Sequence, residues 1–293
     1  MYKVKCKTDK STMVAFHRNA VSAIAATAET ENYLKCNDIK GTVERTKFEV
    51  NCDSLILEVG RKCNLECQHC LRGDAQNITM PFEVARTAID QFDYISSIVF
   101  TGGEPSLYGK EINEIVDYII ATDVPIGSFY VATNGVSANY DFIMALIKLY
   151  AYCDDKEMCC LDISNDHFHQ GDGNYSDSNY FIYEALAFAS KKGDIAETYL
   201  VTEGRAAEFK LGNRTMKKTA KFSCEYYFAG DEQCIVELVY VNAKGGILPD
   251  CDYSYQSQDE MKPYNIDDIR TGKITIFDVF EKFNKGDSEN ERT

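Results

Sequence analysis

Between residues 54 and 201 short apolar runs alternate with stretches whose apolar residues recur at helical spacing, and this alternation limits the fold more than any other feature of the chain. Ser54–Val59 is a compact apolar run of the kind that forms a buried strand. Pro81–Phe92 follows with Ala85, Ala88, Ile89 and Phe92 on one helical face, and Pro81 suits the first helical position. Ile98–Phe100 reads as the next strand, and Ile112, Ile115, Val116, Ile119 and Ile120 mark the next helix. Phe129–Ala132, a helix at about 140–151, Cys159–Ser164, a helix at about 177–191 and Thr198–Val201 continue the pattern. Strands and helices in such alternation predict an α/β fold built of βα units on a parallel sheet.

The polar clusters fall where such a sheet does its chemistry, beyond the C-terminal ends of strands. They are the loop of Cys63, Cys67 and Cys70, then Thr101–Pro105, Thr133–Gly135, Ser164–His169 and Glu203–Arg205. Outside this region the pattern is different. Residues 1–50 carry an Ala-rich segment, Thr12 to Thr30, that reads as a helix of no visible function. After residue 215, Cys234–Asn242 and Ile247–Pro249 flank Ala243-Lys-Gly-Gly246 as a β-hairpin, Ile274–Phe283 reads as a closing helix, and the tail from Asn284 is polar and expected to fray. The expected domains are therefore 1–50, 51–215 and 216–293.

Net charge narrows the function. With a formal charge of −15 the chain repels phosphate backbones and anionic lipid, which argues against nucleic-acid or membrane partners. No apolar stretch reaches the ~18 residues of a membrane span. The N-terminal ten residues lack a signal-peptide core, so a cytoplasmic location is expected. In that compartment twelve cysteines point to metal or redox chemistry rather than to disulfides. Cys6, Cys36, Cys52, Cys153, Cys159 and Cys160 are scattered and read as small core hydrophobes.

Cys63, Cys67 and Cys70 share one short loop. Three thiolates so placed can ligate three irons of a 4Fe–4S cluster and leave the fourth open. A structural zinc site closes with four ligands, and the loop offers only His69 beside Cys70 as another, a strained choice. Zinc, or three unrelated thiols, is the alternative.

Cys63-Asn-Leu-Glu-Cys67-Gln-His-Cys70 resembles the CxxxCxxC signature of radical S-adenosylmethionine enzymes, and Thr101-Gly-Gly-Glu-Pro105 resembles the glycine-rich loop after that family's second strand. The resemblance covers about residues 54–205. It implies a partial (βα)6-type parallel barrel, a 4Fe–4S cluster, and S-adenosylmethionine chelated at the open iron and cleaved by one electron to a 5′-deoxyadenosyl radical. It assigns Gly102, Gly103 and Glu104 to the cradle of the methionine ammonium, with the glycines admitting close backbone approach. Thr133, Asn134 and Ser164 would line the same pocket, and His69 would stand where relatives carry an aromatic near the adenine. Arg205, in Gly204-Arg-Ala206, would hold a carboxylate of cofactor or substrate, or else be a solvated surface residue. That element usually follows one more βα unit than is countable here. The barrel is shortened, or a unit within 206–233 is irregular, or 234–241 supplies the sixth strand.

Cys234, Gly246 and Cys251 fit the hairpin of SPASM and twitch extensions, with Cys224 preceding. No cysteine follows Cys251, which excludes two auxiliary clusters. One auxiliary cluster, a zinc ion, or a remnant with free thiols remain. Asp166, His167 and His169 are the candidate catalytic groups, able to touch substrate or pass protons, though a plain polar loop reads equally well. The expected reaction is hydrogen abstraction from a peptide or protein side chain, with a flavodoxin or ferredoxin as electron donor. A small-molecule dehydrogenase or epimerase is the alternative enzyme, and an iron–sulfur electron carrier or a zinc-binding protein the non-enzymatic one.

Overall fold

Two sheets organise the chain in a computed structural model that describes residues 2–8, 11–17, 20–170, 177–192, 200–212, 226–229, 233–248, 250–261 and 263–285. The first is small and N-terminal. Strands β1 (Tyr2–Thr8), β2 (Thr12–His17) and β3 (Gly41–Lys47) pair antiparallel in the order β2-β1-β3, with helix α1 (Ala20–Cys36) between β2 and β3 in sequence. The helix expected from Thr12 thus begins at Ala20. Residues 12–17 are taken by the ladder with β1, because backbone pairing along a ready strand outweighs a weak helix preference.

The second sheet carries the rest. Its elements in chain order are β4 (Glu49–Gly60), α2 (Phe82–Ile89), β5 (Tyr94–Gly102), α3 (Gly109–Thr122), β6 (Ile126–Thr133), α4 (Tyr140–Tyr152), β7 (Cys160–Ser164), α5 (His167–Gln170), α6 (Asp177–Glu184), β8 (Ala189–Lys192), α7 (Gly204–Glu208), β9 (Tyr226–Ala229), β10 (Gln233–Val241), β11 (Gly246–Leu248), α8 (Tyr255–Glu260), β12 (Tyr264–Asn265), α9 (Ile266–Arg270) and α10 (Ile276–Lys285). Strands β4 to β8 run parallel in sequence order, and the described strands form an open α/β sheet. The expected hairpin is present as β10 and β11, paired through Tyr240–Leu248 and Val241–Ile247. β10 also lies parallel to β4, at the side of the sheet away from β8.

Side-chain alternation sorts the two faces. Leu55, Leu57 and Val59 of β4 face one way, into a core with Ile98 and Phe100 of β5 and Ile112, Ile115, Val116 and Ile119 of α3. Helices α9 and α10 add Ile266, Ile269, Ile276, Val279 and Phe280 to that core. Each such side chain contributes about 1.5–3 kcal/mol on burial. Ile56 faces the other way with Tyr240 and Leu248, and Glu58 is its polar neighbour on that face. The helices end where their caps dictate. Asn139 accepts from the Phe142 N–H at the start of α4, and Asp123 closes α3 in the left-handed region at φ 55°.

One predicted unit is displaced. The helix expected at 177–191 ends at Glu184, and the fifth parallel strand is β8, paired with β7 from Leu161–Ala189 to Ser164–Lys192. An apolar run such as Leu186–Ala189 reads equally as helix or strand, and the free edge of β7 decides. Of the strand expected at 198–201, Thr198 and Tyr199 lie outside the described residues, as do Cys224 and the tail from residue 286.

Candidate cofactor site

The loop after β4 is closed at its base before it reaches the cysteines. Met80 N–H donates to the Val59 carbonyl, Arg61 N–H to Ile78, and Gln76 N–H to Arg61, so entry and exit run side by side. Tyr108, from the turn after β5, seals this base. Its hydroxyl accepts from Lys62 N–H at 2.6 Å and donates to the Ile78 carbonyl at 3.1 Å. The ring sits so close to Gly60 that a Cβ there would lie 2.2 Å from it. Nothing in the local sequence marked Tyr108 for this task.

Beyond the base, Cys63, Cys67 and Cys70 line one cavity of about 410 Å³ with Gly102, Gly103, Glu104, Thr133, Asn134, Ser164, His69, His169 and Arg205. That volume is in the range of small-ligand pockets, ~300–1,000 Å³. Cys67 is buried, and burial pushes the Cys63 thiol up to about 11. A metal binding here must therefore displace thiol protons.

The glycine loop packs against the cysteine loop itself. Gly103 N–H donates to Gly60 carbonyl and Glu104 N–H to Lys62 carbonyl. A Cβ on Gly102 would lie 2.1 Å from the Gly60 oxygen, and one on Gly103 2.1 Å from the Lys62 oxygen. Gly102 also stands at φ 146°. Close approach between two backbone segments is thus the reason for glycine at both positions. Glu104 is 2% exposed, and its carboxylate is consumed by the protein. It accepts from Ser106 N–H, Thr133 Oγ1 and Asn134 N–H. Asn134 in turn donates from Nδ2 to Asn64 Oδ1, one residue past Cys63.

On the far wall His69 stacks on Phe168 with centroids 4.4 Å apart, and His169 meets its edge. Burial, aided by His169, lowers the His69 imidazole to about 4, and its Nδ1 is buried with no partner among the described residues. His169 Nδ1 lies 2.7 and 2.8 Å from the two oxygens of Asp166, whose carboxylate also accepts from the Phe168 and His169 backbone N–H groups. Burial, the largest single influence, would raise the Asp166 carboxyl, but the His169 hydrogen bonds together with the charges of His169 and His69 outweigh it and hold the group below its usual range. Since a carboxylate only accepts, His169 carries its proton on Nδ1. His167 is exposed and does not line the cavity.

Arg205 is not a solvated surface residue: it is 8% exposed. Nε donates to the Cys67 carbonyl at 3.0 Å, its backbone N–H to the Cys70 carbonyl at 3.0 Å, and NH1 reaches Asp74 at 3.5 Å. Gly204 makes this possible, since a Cβ there would lie within 2.8 Å of Cys70 oxygen, Leu71 oxygen and Gly73 nitrogen.

The C-terminal segment closes the remaining side. Asp252 lines the cavity, Arg72 NH1 donates to the Tyr253 carbonyl, and Tyr255 N–H donates to the Arg72 carbonyl. Behind it, the fully buried Glu58–Arg61 pair is 2.7 Å apart. Arg61 also reaches Gln258, Gln76 and Asp259, and Glu58 accepts from Tyr240, Ala243 N–H and Gln258. A buried pair so fully hydrogen-bonded avoids the cost of an orphaned charge. Sequence reading gave no signal for this network, whose members lie up to about two hundred residues apart.

Cys234 and Cys251 are not brought together. Cys234 packs on the helix-covered face with Val50 and Val236, whereas Cys251 packs against Ile56, Tyr240 and Leu248 on the opposite face. Burial pushes both thiols up to about 12. Cys224, the third member of the expected set, lies outside the described residues.

No family model matches the chain. It is similar to an uncharacterized protein of Methanocaldococcus jannaschii, 45% identical over 22% of this chain and 23% of that one. It is also similar to the AdoMet-dependent heme synthase of Nitratidesulfovibrio vulgaris, 38% identical over 25% of this chain and 20% of the other. The GTP 3′,8-cyclase of Chlorobaculum tepidum is 35% identical over 33% of this chain and 30% of its own. The chain thus spans 20 to 30% of the length of the curated relatives it matches. Among solved structures, native anSMEcpe with bound AdoMet and Cp18Cys peptide aligns at 14% identity and TM-score 0.45, over 80% of this chain and 82% of that one.

Proposed function

We propose that this chain, which belongs to the radical S-adenosylmethionine superfamily, holds a 4Fe–4S cluster on Cys63, Cys67 and Cys70 and cleaves S-adenosylmethionine to abstract hydrogen from a substrate. The observation that carries this reading is the shared cavity: three thiols on one braced loop meet strand ends of β5, β6 and β7. The donor set fits the cofactor. Three thiols suit three irons, and no fourth protein ligand is needed when S-adenosylmethionine completes the site. Once bound, the cluster and S-adenosylmethionine supply a one-electron cleavage that delivers a 5′-deoxyadenosyl radical.

The chain's own residues supply position and exclusion of water. Tyr108 and the glycine loop fix the cysteine loop, Glu104 fixes Thr133 and Asn134 beside it, and His69 with Phe168 forms an aromatic wall. The Asp166–His169 pair holds a proton at Nδ1, against the Asp166 carboxylate. The open sheet is read as a shortened partial (βα)6 barrel, with residues 51–215 as its domain and 216–293 as an extension that walls the cavity. The separation of Cys234 from Cys251 supports the remnant reading of that extension, with free thiols and one cluster in all.

The substrate is read as a peptide or protein side chain, one of the substrate classes, beside small metabolites, of enzymes whose twitch extensions the hairpin around Gly246 resembles. The names of the heme synthase and the GTP cyclase favour a small molecule as the second reading. The anaerobically reconstituted protein should release 5′-deoxyadenosine under reductant, and Cys67→Ala should not; intact protein that releases none ends the enzyme reading. Deuterium moving from a labelled peptide or small molecule into 5′-deoxyadenosine decides between the substrate classes.

A further inference from the structure

Arg205 enters the sequence as a candidate carboxylate clamp, but its observed bonds lead elsewhere. Its Nε and its backbone N–H each bind the carbonyl of a cysteine proposed as a ligand, Cys67 and Cys70, at 3.0 Å. The side chain is 10% exposed, while its anionic partner among the described residues, Asp74, is 91% exposed and 3.5 Å away. An exposed carboxylate at that distance neutralises little of a buried charge. A guanidinium cannot release its proton to relieve burial. The positive charge therefore persists inside the site, where Arg205 lines the same cavity as Cys63, Cys67 and Cys70.

Its setting invites a counter-charge. A cluster on three thiolates is anionic, and one-electron reduction adds a further negative charge where burial strengthens every Coulomb interaction. Charge and hydrogen bonding near such a cluster set its potential. We propose that Arg205 is a positioning residue that both clamps the Cys67–Cys70 turn and supplies the internal cation that makes the cluster reducible. This rests on the cluster reading above. The clamp explains why Gly204 must precede it, and the charge explains why arginine follows.

The test uses full-length protein reconstituted with iron and sulfide and titrated with dithionite and mediators without S-adenosylmethionine, reading the reduced cluster by electron paramagnetic resonance. Arg205→Gln should retain wild-type iron and show a reduced-to-oxidised ratio at least tenfold lower at the same solution potential, a shift of 59 mV for one electron. Arg205→Lys, which keeps the charge, should stay within twofold of the wild type. An Arg205→Gln protein with full iron and an unchanged ratio overturns the proposal. Weaker S-adenosylmethionine binding with an unchanged ratio restores the carboxylate clamp in its place. If Arg205→Gln loses iron, Arg205→Lys decides: a ratio within twofold supports the cation, and a tenfold fall rejects it. Wild-type protein that takes up no cluster refutes the cluster reading itself, an outcome distinct from all of these.

Discussion

The hydroxyl of Thr133 donates to Glu104 at 2.6 Å, and the next residue's N–H donates to the other carboxylate oxygen at 2.8 Å. One buried side chain from the end of β5 thereby sets the end of β6. The acidic residue of the glycine loop is first of all a tie between neighbouring strand ends.

Glu104→Gln tests that tie. Three donors converge on the carboxylate, and a carboxamide turns one acceptor into a fourth donor. The expected loss is about 1–3 kcal/mol in urea unfolding of the cluster-free protein. Unchanged stability would mean that the charge serves only a bound ligand.

Gly103→Ala separates two reasons for the glycine. A Cβ there would lie 2.1 Å from the Lys62 oxygen, a backbone atom that cannot swing aside. The cluster-free variant should lose about 1–3 kcal/mol and take up less iron, because Lys62 adjoins Cys63. If stability is wild-type and only S-adenosylmethionine binding falls, the glycine exists for the ligand.

The C-terminal cysteines give a simple count. Cys234→Ala with Cys251→Ala should keep wild-type iron after reconstitution, since the two thiols face opposite sides of the sheet. Loss of about half the iron would establish a second cluster of the same size.

Asp166 makes a pH prediction. Its folded carboxyl titrates below the ordinary value of 3.8. Its contribution to stability is then full above that value and is lost as pH falls through the depressed folded value. Asp166→Asn should flatten the acid limb of melting temperature against pH below about 4, and leave the limb above it parallel to wild type. A variant whose acid limb matches the wild type's removes the Asp166–His169 bond from the stability of the folded state.

How much of this was legible beforehand follows from the range of the interactions. Helices α2, α3 and α4 and strands β4 to β7 announced themselves through apolar periodicity, a property of consecutive residues. The fifth strand did not, because Leu186–Ala189 fits either period and only the open edge of β7 selects pairing. The N-terminal strands were hidden for the same reason, since Thr12–His17 becomes a strand only beside Tyr2–Thr8.

The site divides along the same line. The cysteine spacing and the Gly-Gly-Glu triplet are local patterns, so the chemistry they suggest was readable in the linear chain. What each residue does there was decided by tertiary structure. Gly102 and Gly103 serve backbone packing, Glu104 ties strand ends, and Arg205 holds the cysteine turn. Tyr108, Asp252 and the Glu58–Arg61–Gln258 network left no trace in the sequence, because their partners are distant along the chain and adjacent only once the sheet forms. A motif records which atoms can react; burial and the geometry of non-local hydrogen bonds determine which of them are free to do so.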